Sequence, residues 1–508
     1  MPRKKSYITV KDQFCGCGGS GQGAKKAGAE VAVALNHWKL ATDTYSTNSP
    51  QTLVDCTDIS ASDPRRYPST DILITSPECT THTPASGLKA LKKQMDLFKQ
   101  GKIDPAVERS RATMWDVVRF SEFHRYNAVI VENVVELRKW EPYEAWLKAM
   151  HSLGYVHKTL FLNSMHFHPT PQSRDRTYII FWRKGNKAPD LEYNPAARCP
   201  RCEKDVHSVL TWKKGVMKFG KYRQQYVYCC PACASVVEPY FYAAFNAIDW
   251  SDIGTRIGDR PKALSPNTIT RAKHGLQKFG SRPFQVINYS PGYTKSMSDS
   301  LGTITTQDHH GICNTPFIIK LEHSQRGDNA KSVVDADMTQ TGRQSKMLVN
   351  PYTKNAFDAL FTQTTCQGSG FVTPPILTIS RGKSKSANAF GPLNTISAGG
   401  IHSGLVTTES WKSFLASNYS GSHCLKHVSQ EMGALSTKDR HALFNFKTPD
   451  IEDCYYRMLK PHEVQRGMAF EDDYVVLGNS RDKVKQCGNA VTPPVMEWLV
   501  RQVIQSLS

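Results

Sequence analysis

Short apolar runs recur along the first part of the chain, with enough residues between them for helices. Tyr7 to Gln13, Glu30 to Leu35, Asp71 to Thr75, Asn127 to Val131 and Arg176 to Trp182 each read as a strand. They are rich in Val, Ile and aromatic residues, and polar, glycine or proline positions bound them. Gly16 to Gly28 reads as a glycine-rich turn leading into a helix, and Glu108 to Phe123 as a longer helix. Short apolar strands alternating with helices predict an α/β domain with a mostly parallel sheet covered on both faces.

The pattern changes near Asn186. Two cysteine pairs follow, then a region to about Phe446 that is rich in Thr, Ser, Gly, His and Lys and poor in helical periodicity. Within it a loose phrase recurs: LSPNTITRAKHGL from Leu264, LGTITTQDHHGI from Leu301, MTQTGRQSKMLV from Met338, LFTQTTCQGSGFV from Leu360, LNTISAGGIHSGLV from Leu393 and LSTKDRHALF from Leu435. Each has β-branched residues, a polar turn and an apolar step, so each reads as strand, turn, strand. The spacing is irregular, which predicts related hairpins with basic turns rather than a regular solenoid. Helical character returns after Tyr455, with a Pro-started helix in YYRMLKPHEVQRGMAF and a closing one in MEWLVRQVIQSL. Four regions are expected: 1–185, 186–245, 246–450 and 451–508.

At 508 residues the chain exceeds what one hydrophobic core usually holds. No apolar run is long enough to cross a bilayer, and the basic N-terminus lacks the apolar stretch of a signal peptide. A cytoplasmic location, in a bacterial cell or a phage-infected host, is expected. The net charge of +19 suits a polyanionic partner, although surface charge alone also serves solubility. Fourteen cysteines without a signal peptide argue for reduced thiols, and so for metal, catalysis or burial.

Candidate chemistry clusters at strand ends. Asp12 to Gly21 (DQFCGCGGSG) is a glycine-rich turn after the first strand, suited to close approach of a ligand or to an ordinary tight turn. Ser76-Pro77-Glu78-Cys79-Thr80 follows the third predicted strand, where ligands and catalytic groups of open parallel sheets lie. Cys79 there is a candidate nucleophile; a lone cysteine is more often simply buried. Val131-Glu132-Asn133-Val134 ends the fourth strand, and Pro171-Gln172-Ser173-Arg174-Asp175-Arg176 brings two arginines to the fifth. Cys199-Pro200-Arg201-Cys202 and Cys230-Pro231-Ala232-Cys233 are matched knuckles, the pattern of a four-thiolate zinc ribbon, with Cys229 as a spare for Cys230. Cys15 and Cys17 read as packing residues.

The order DxFCGxGG, PxC, ENV, QxRxR and GNAV (Gly488 to Val491) resembles the DNA cytosine-5 methyltransferase family of phage and bacterial type. The resemblance spans roughly the first 185 residues and the last 55 or so. It implies a Rossmann-like S-adenosylmethionine-dependent domain carrying an inserted, mostly β target-recognition region and a zinc ribbon. Cys79 would add to carbon 6 of a flipped cytosine, Glu132 would contact the ring nitrogen and exocyclic amine, and Arg174 and Arg176 would hold the base and its phosphate. Phe14, Gly16, Gly18, Gly19, Trp38, Asp58, Ile59, Asn489 and Val491 match the cofactor positions. The implied partner is double-stranded DNA, bound by a monomer, with no membrane. The chain departs from the pattern at His37, where the family has an acid, and at Glu78-Cys79-Thr80, where it has Pro-Cys-Gln. The region before Tyr455 is also longer than in compact members. A tRNA cytosine methyltransferase and a catalytically inactive DNA-binding relative are the other readings.

Overall fold

The computed structural model describes residues 7–77, 105–214, 219–279, 283–288, 292–307, 309–314 and 450–507, with short strands between 317 and 445. Glu78, Cys79 and the phrase from Leu360 lie outside the described residues. The chain divides into two units. The first comprises Met1–Ile248, Ile287–Gly311 and Met458–Ser508; the second comprises Asp249–Val286 and Ile312–Arg457.

The first unit is built on a sheet of seven strands: β1 (Thr9–Gln13), β2 (Glu30–Asn36), β3 (Leu53–Cys56), β4 (Ile72–Thr75), β5 (Ala128–Asn133), β6 (Tyr155–Asn163) and β7 (Asp175–Arg183). Their order is β3-β2-β1-β4-β5-β7-β6. β1 runs parallel to β2 and β4, β2 to β3 and β4 to β5, while β7 is antiparallel to both β5 and β6. The order reverses between β1 and β4, so the crevice that such sheets use for ligands opens beyond the C-terminal ends of those two strands.

Strand alternation sorts the core into two layers. Ala34, Ile72, Ile74, Ala128, Ile130 and Ile180 face one cluster; Val33, Leu35, Leu73, Val129, Val131 and Ile179 face the other. The first layer is closed by the helix Pro493–Leu507, whose buried Val495, Met496, Leu499, Val500 and Val503 recur with helical period. The second is closed by Met114, Val117 and Phe120, from the helix Pro105–His124, and by Trp146 and Met150, from the helix Tyr143–Ser152. Among the described residues, no helix is long and apolar enough to cross a membrane.

Residues 196–237 form two small antiparallel sheets. β8 (Ala196–Cys199) pairs with β9 (Lys204–His207), and β11 (Tyr226–Cys229) lies between β10 (Val209–Trp212) and β12 (Val236–Val237).

In the second unit the first copy of the recurring phrase takes a different form from the predicted hairpin. The copy from Leu264 is a helix, Pro266–Phe279. Ser265 Oγ accepts from the Thr268 backbone N–H at 3.3 Å, Pro266 occupies the first turn, and Ala272 and Leu276 are buried one turn apart. Capping and period outweigh the β-branched residues there. In the later copies the apolar step does become a strand, but its partner lies upstream of the phrase. Lys346–Val349 pairs with Phe317–Lys320, Ser403–Val406 with Ile376–Ile379, and His441–Asn445 with Ser413–Tyr419. In each triplet the first strand is central and the next two flank it.

Candidate active site and cysteine cluster

The glycine-rich turn follows β1 directly. Phe14 and Gly16 take positive φ values of 53° and 52°, and Gly18 takes 101° as it caps the helix Gly19–Lys26. A β-carbon on Gly16 would meet no described atom within 4 Å, whereas one on Gly19 would collide with the Val491 carbonyl oxygen. Glycine at 19 therefore lets the Gly488–Val491 segment, from the far end of the chain, lie against the first loop. Cys17 is fully buried and its Sγ donates to the Gln486 carbonyl at 3.5 Å; Cys15 is buried as well. Asp12 is buried too, accepting from Ser20 Oγ at 2.7 Å and Tyr45 Oη at 3.3 Å; burial pushes its carboxyl up to about 7.

Trp38 follows β2, half-buried, and its ring carries the Lys485 ammonium 4.5 Å from its centroid. His37 is exposed beside it. Asp58, also exposed, caps a short 3-10 turn by accepting from the Ser60 N–H at 3.0 Å, while Ile59 is buried in the second core layer. Asn489 is exposed at the end of the helix Ser480–Asn489 and Val491 is buried. Two polar side chains at the switch point, Gln13 and Thr75, are fully buried neighbours across β1 and β4 and have no hydrogen-bond partner among the described residues. Buried amides and hydroxyls seldom stay unpaired.

β4 leads into Ser76 and Pro77, and so toward Cys79. At the end of β5 alongside, Asn133 Nδ2 donates to the Pro77 carbonyl at 3.1 Å. The next residue back, Glu132, is 9% exposed and pairs with Arg176 Nε at 3.0 Å. The antiparallel register sets Glu132 opposite Tyr178, which brings Arg176 within diagonal reach. Arg174 is placed differently. Its guanidinium donates to the carbonyls of Ile304 at 3.0 Å and Gly488 at 3.1 Å. Burial, reinforced by Arg176, pushes it down to about 9. Of the two arginines, Arg176 meets Glu132, and Arg174 ties together three separate stretches of chain.

One of those stretches was not legible as part of the site. Leu301 N–H donates to the Pro171 carbonyl at 2.7 Å, Ser173 N–H to the Leu301 carbonyl at 3.0 Å, and Thr303 Oγ1 to the Ser173 carbonyl at 2.9 Å. The second copy of the recurring phrase is thus stitched along the Gln172-Ser173-Arg174 turn. Its sequence carries no mark of this, because backbone groups make most of the bonds.

Cys199, Cys202, Cys230 and Cys233 converge, with all four Sγ atoms within 4.8 Å of one another. Cys199 and Cys233 are 3.5 Å apart, Cys202 and Cys230 3.9 Å. Thiolates about 2.3 Å from a tetrahedral ion would be separated by about 3.8 Å, so the set has the right size for one. Cys230 belongs to the cluster; Cys229 does not.

The model of the C-5 cytosine-specific DNA methylase family matches residues 8–218 and 318–505, well over half of the chain. The type II methyltransferase M.HgiDI of Herpetosiphon aurantiacus is 27% identical over 180 residues, 35% of this chain and 53% of that protein. M.DdeI of Desulfomicrobium norvegicum is 26% identical over 183 residues, 34% of this chain and 40% of that protein. The chain thus spans about half the length of the curated relatives it matches. A crystal structure of a Spodoptera frugiperda DNMT2 mutant covers 98% of this chain and 99% of its own, with a TM-score of 0.46 and 13% identity. Ordered motifs, sheet order and family match agree: the chain belongs to the C-5 cytosine-specific DNA methylase family.

Proposed function

We propose that this chain transfers a methyl group from S-adenosylmethionine to carbon 5 of a cytosine in a specific sequence of double-stranded DNA, through a transient Cys79 adduct. The observation that carries the reading is the Glu132–Arg176 pair at the end of β5, one strand from the β4 end that leads to Cys79. A carboxylate held by an arginine, on the strand next to the one that leads toward a thiol, suits addition to a pyrimidine.

The Cys79 thiolate adds to carbon 6 and makes carbon 5 an enamine carbon. Glu132 favours that addition by contact with the ring nitrogen and exocyclic amine. Carbon 5 then takes the methyl group, its proton is removed, and the thiolate is expelled as the ring double bond returns. A cytosine paired in a duplex cannot reach such a site, so the base must be extruded at a cost of a few kcal/mol. The excess of positive charge supplies phosphate contacts that offset this cost.

The first loop suits a nucleotide-like cofactor, since it lies at the point where strand order reverses and no described atom comes within 4 Å of a β-carbon at Gly16. Phe14, Gly16, Gly18, Gly19, Trp38, Asp58, Ile59, Asn489 and Val491 would hold S-adenosylmethionine, which supplies an electrophilic methyl. His37, in place of an acid, removes a charged partner for the ribose hydroxyls. The four clustered cysteines would hold a structural Zn2+, whose work is to rigidify residues 196–237.

The test is transfer of labelled methyl groups from S-adenosylmethionine to duplex DNA and to tRNA. Label in duplex cytosines supports the reading. Label in tRNA alone would favour an RNA-modifying relative, and none in either would favour a DNA-binding protein without activity.

A further inference from the structure

The cysteine cluster and the Glu132–Arg176 pair are joined by packing and by two polar ties. Cys199 and Cys230 share one buried apolar cluster with Val135, three residues beyond Glu132, and with Phe161 and Met165. The turn that leads into β11 supplies the ties. Lys221 Nζ pairs with Glu136 Oε1 at 2.6 Å, on the 3-10 turn that follows Glu132-Asn133-Val134. The Tyr222 backbone N–H donates to Asp175 Oδ1 at 2.9 Å, and Asn163 Nδ2 donates to the same oxygen at 3.1 Å. Asp175 stands between Arg174 and Arg176, and its own carbonyl accepts from Arg176 Nη1 at 2.8 Å. β11 then runs from this turn to Cys229, and Cys230 follows it.

We propose that the four-cysteine ribbon is a positioning element for the catalytic pair, with Asp175, Tyr222, Lys221 and Glu136 as the positioning residues. The tie at Tyr222 sets the strand that carries Arg176, and the tie at Lys221 sets the turn beyond Glu132. Both tie residues lie in the turn that enters β11, the strand whose other end runs into the cluster cysteine Cys230, so an emptied cluster releases them together. Methyl transfer by this chain then depends on an intact ribbon, while cofactor binding at the far side of the sheet does not. The inference rests on the reading of Glu132 and Arg176 given above.

The experiment compares full-length wild type with Asp175→Ala, Asp175→Asn and Lys221→Met, each before and after zinc is stripped with a chelator. Asn keeps an acceptor oxygen for the Tyr222 N–H. Asp175→Ala is expected to lower kcat roughly tenfold or more, since small misplacements of reacting groups cost up to about a hundredfold. KM for S-adenosylmethionine and zinc content stay at wild-type values, Asp175→Asn recovers most of kcat, and Lys221→Met shows a smaller loss. Stripping zinc lowers wild-type kcat but adds to Asp175→Ala no more than the smaller loss of Lys221→Met, because only that tie is left to release. Hydrogen exchange supplies a second readout: residues 131–139 and 174–178 exchange faster in Asp175→Ala and in stripped wild type, while 30–36 do not change. Wild-type kcat in Asp175→Ala, failure of Asp175→Asn to recover it, or unchanged exchange at those two segments would overturn the proposal. A wild-type chain that methylates nothing overturns the assigned reaction instead, and the exchange comparison still decides this coupling.

Discussion

The side-chain amide of Asn133 donates to the carbonyl oxygen of Pro77 across 3.1 Å, tying the end of β5 to the residue two before Cys79. Asn133 Oδ1 also accepts from the Val134 N–H at 2.8 Å, so the amide is held from both sides. Asn133→Ala is expected to lower kcat about tenfold through misplacement of Pro77 and of the proposed nucleophile that follows it, with little change in KM for the cofactor. Single-turnover methylation beside a cofactor titration checks this; a change confined to cofactor binding would refute the Asn133–Pro77 tie as a positioning contact.

Cys79→Ser is expected to abolish methyl transfer while duplex binding survives, because a hydroxyl is far less ionised than a thiol and adds poorly to carbon 6. Trapping on duplex DNA containing 5-fluorocytosine should give a covalent complex with wild type and none with the variant. Normal turnover by Cys79→Ser would remove the nucleophile assignment.

The two arginines should fail differently. Arg176→Lys keeps the charge beside Glu132 but loses the planar guanidinium, and is expected to reduce kcat with the fold intact. Arg174→Lys leaves the carbonyls of Ile304 and Gly488 short of donors in a buried site, and is expected to cost about 1–3 kcal/mol of stability for each unsatisfied group. Thermal melts and kcat for both variants check the contrast; equal melting temperatures would contradict it.

Replacing Cys202 and Cys233 together by Ser is expected to remove one equivalent of zinc per chain. Two thiolates cannot complete a tetrahedral structural site. Elemental analysis of variant and wild type decides it, and equal metal content would eliminate the zinc assignment.

Lys11 gives a pH signature. It is fully buried, its Nζ lies 2.8 Å from His124 Nε2, and the rings of Tyr67, Phe120 and Tyr126 surround it at 5.5–5.7 Å. Burial lowers its amine from 10.5 to about 7. The folded chain therefore binds fewer protons at this site than the unfolded chain between those pH values, and stability rises with pH across them. The gain from pH 7 to 9 is expected to be about 2 kcal/mol, and absent in Lys11→Met. Denaturant midpoints of the two proteins at both pH values measure it; parallel curves would show that Lys11 is not the source.

Much of the first unit was legible because its information is local. β1, β2, β4, β5 and β7 fall within a few residues of the apolar runs at Tyr7, Glu30, Asp71, Asn127 and Arg176, since a strand buried on both faces must be apolar along its length. The ordered motifs at Gly16, Glu132, Arg174 and Gly488, and the two cysteine knuckles, are equally local patterns of residue type. The nucleophile itself, Cys79, is a reading of sequence alone.

Tertiary structure decided what no local pattern encodes: which distant groups meet. That Arg176 pairs with Glu132 while Arg174 bridges Ile304 and Gly488 depends on antiparallel register and on two carbonyls brought together from distant stretches, and carbonyls look alike in every sequence. The partners of the strands after 317 lie upstream of the recurring phrase, because pairing is chosen by chain return and not by the phrase that contains the strand. Residue types dictate which chemistry is available here; only the folded arrangement of backbone donors and acceptors selects the side chains that are free to perform it.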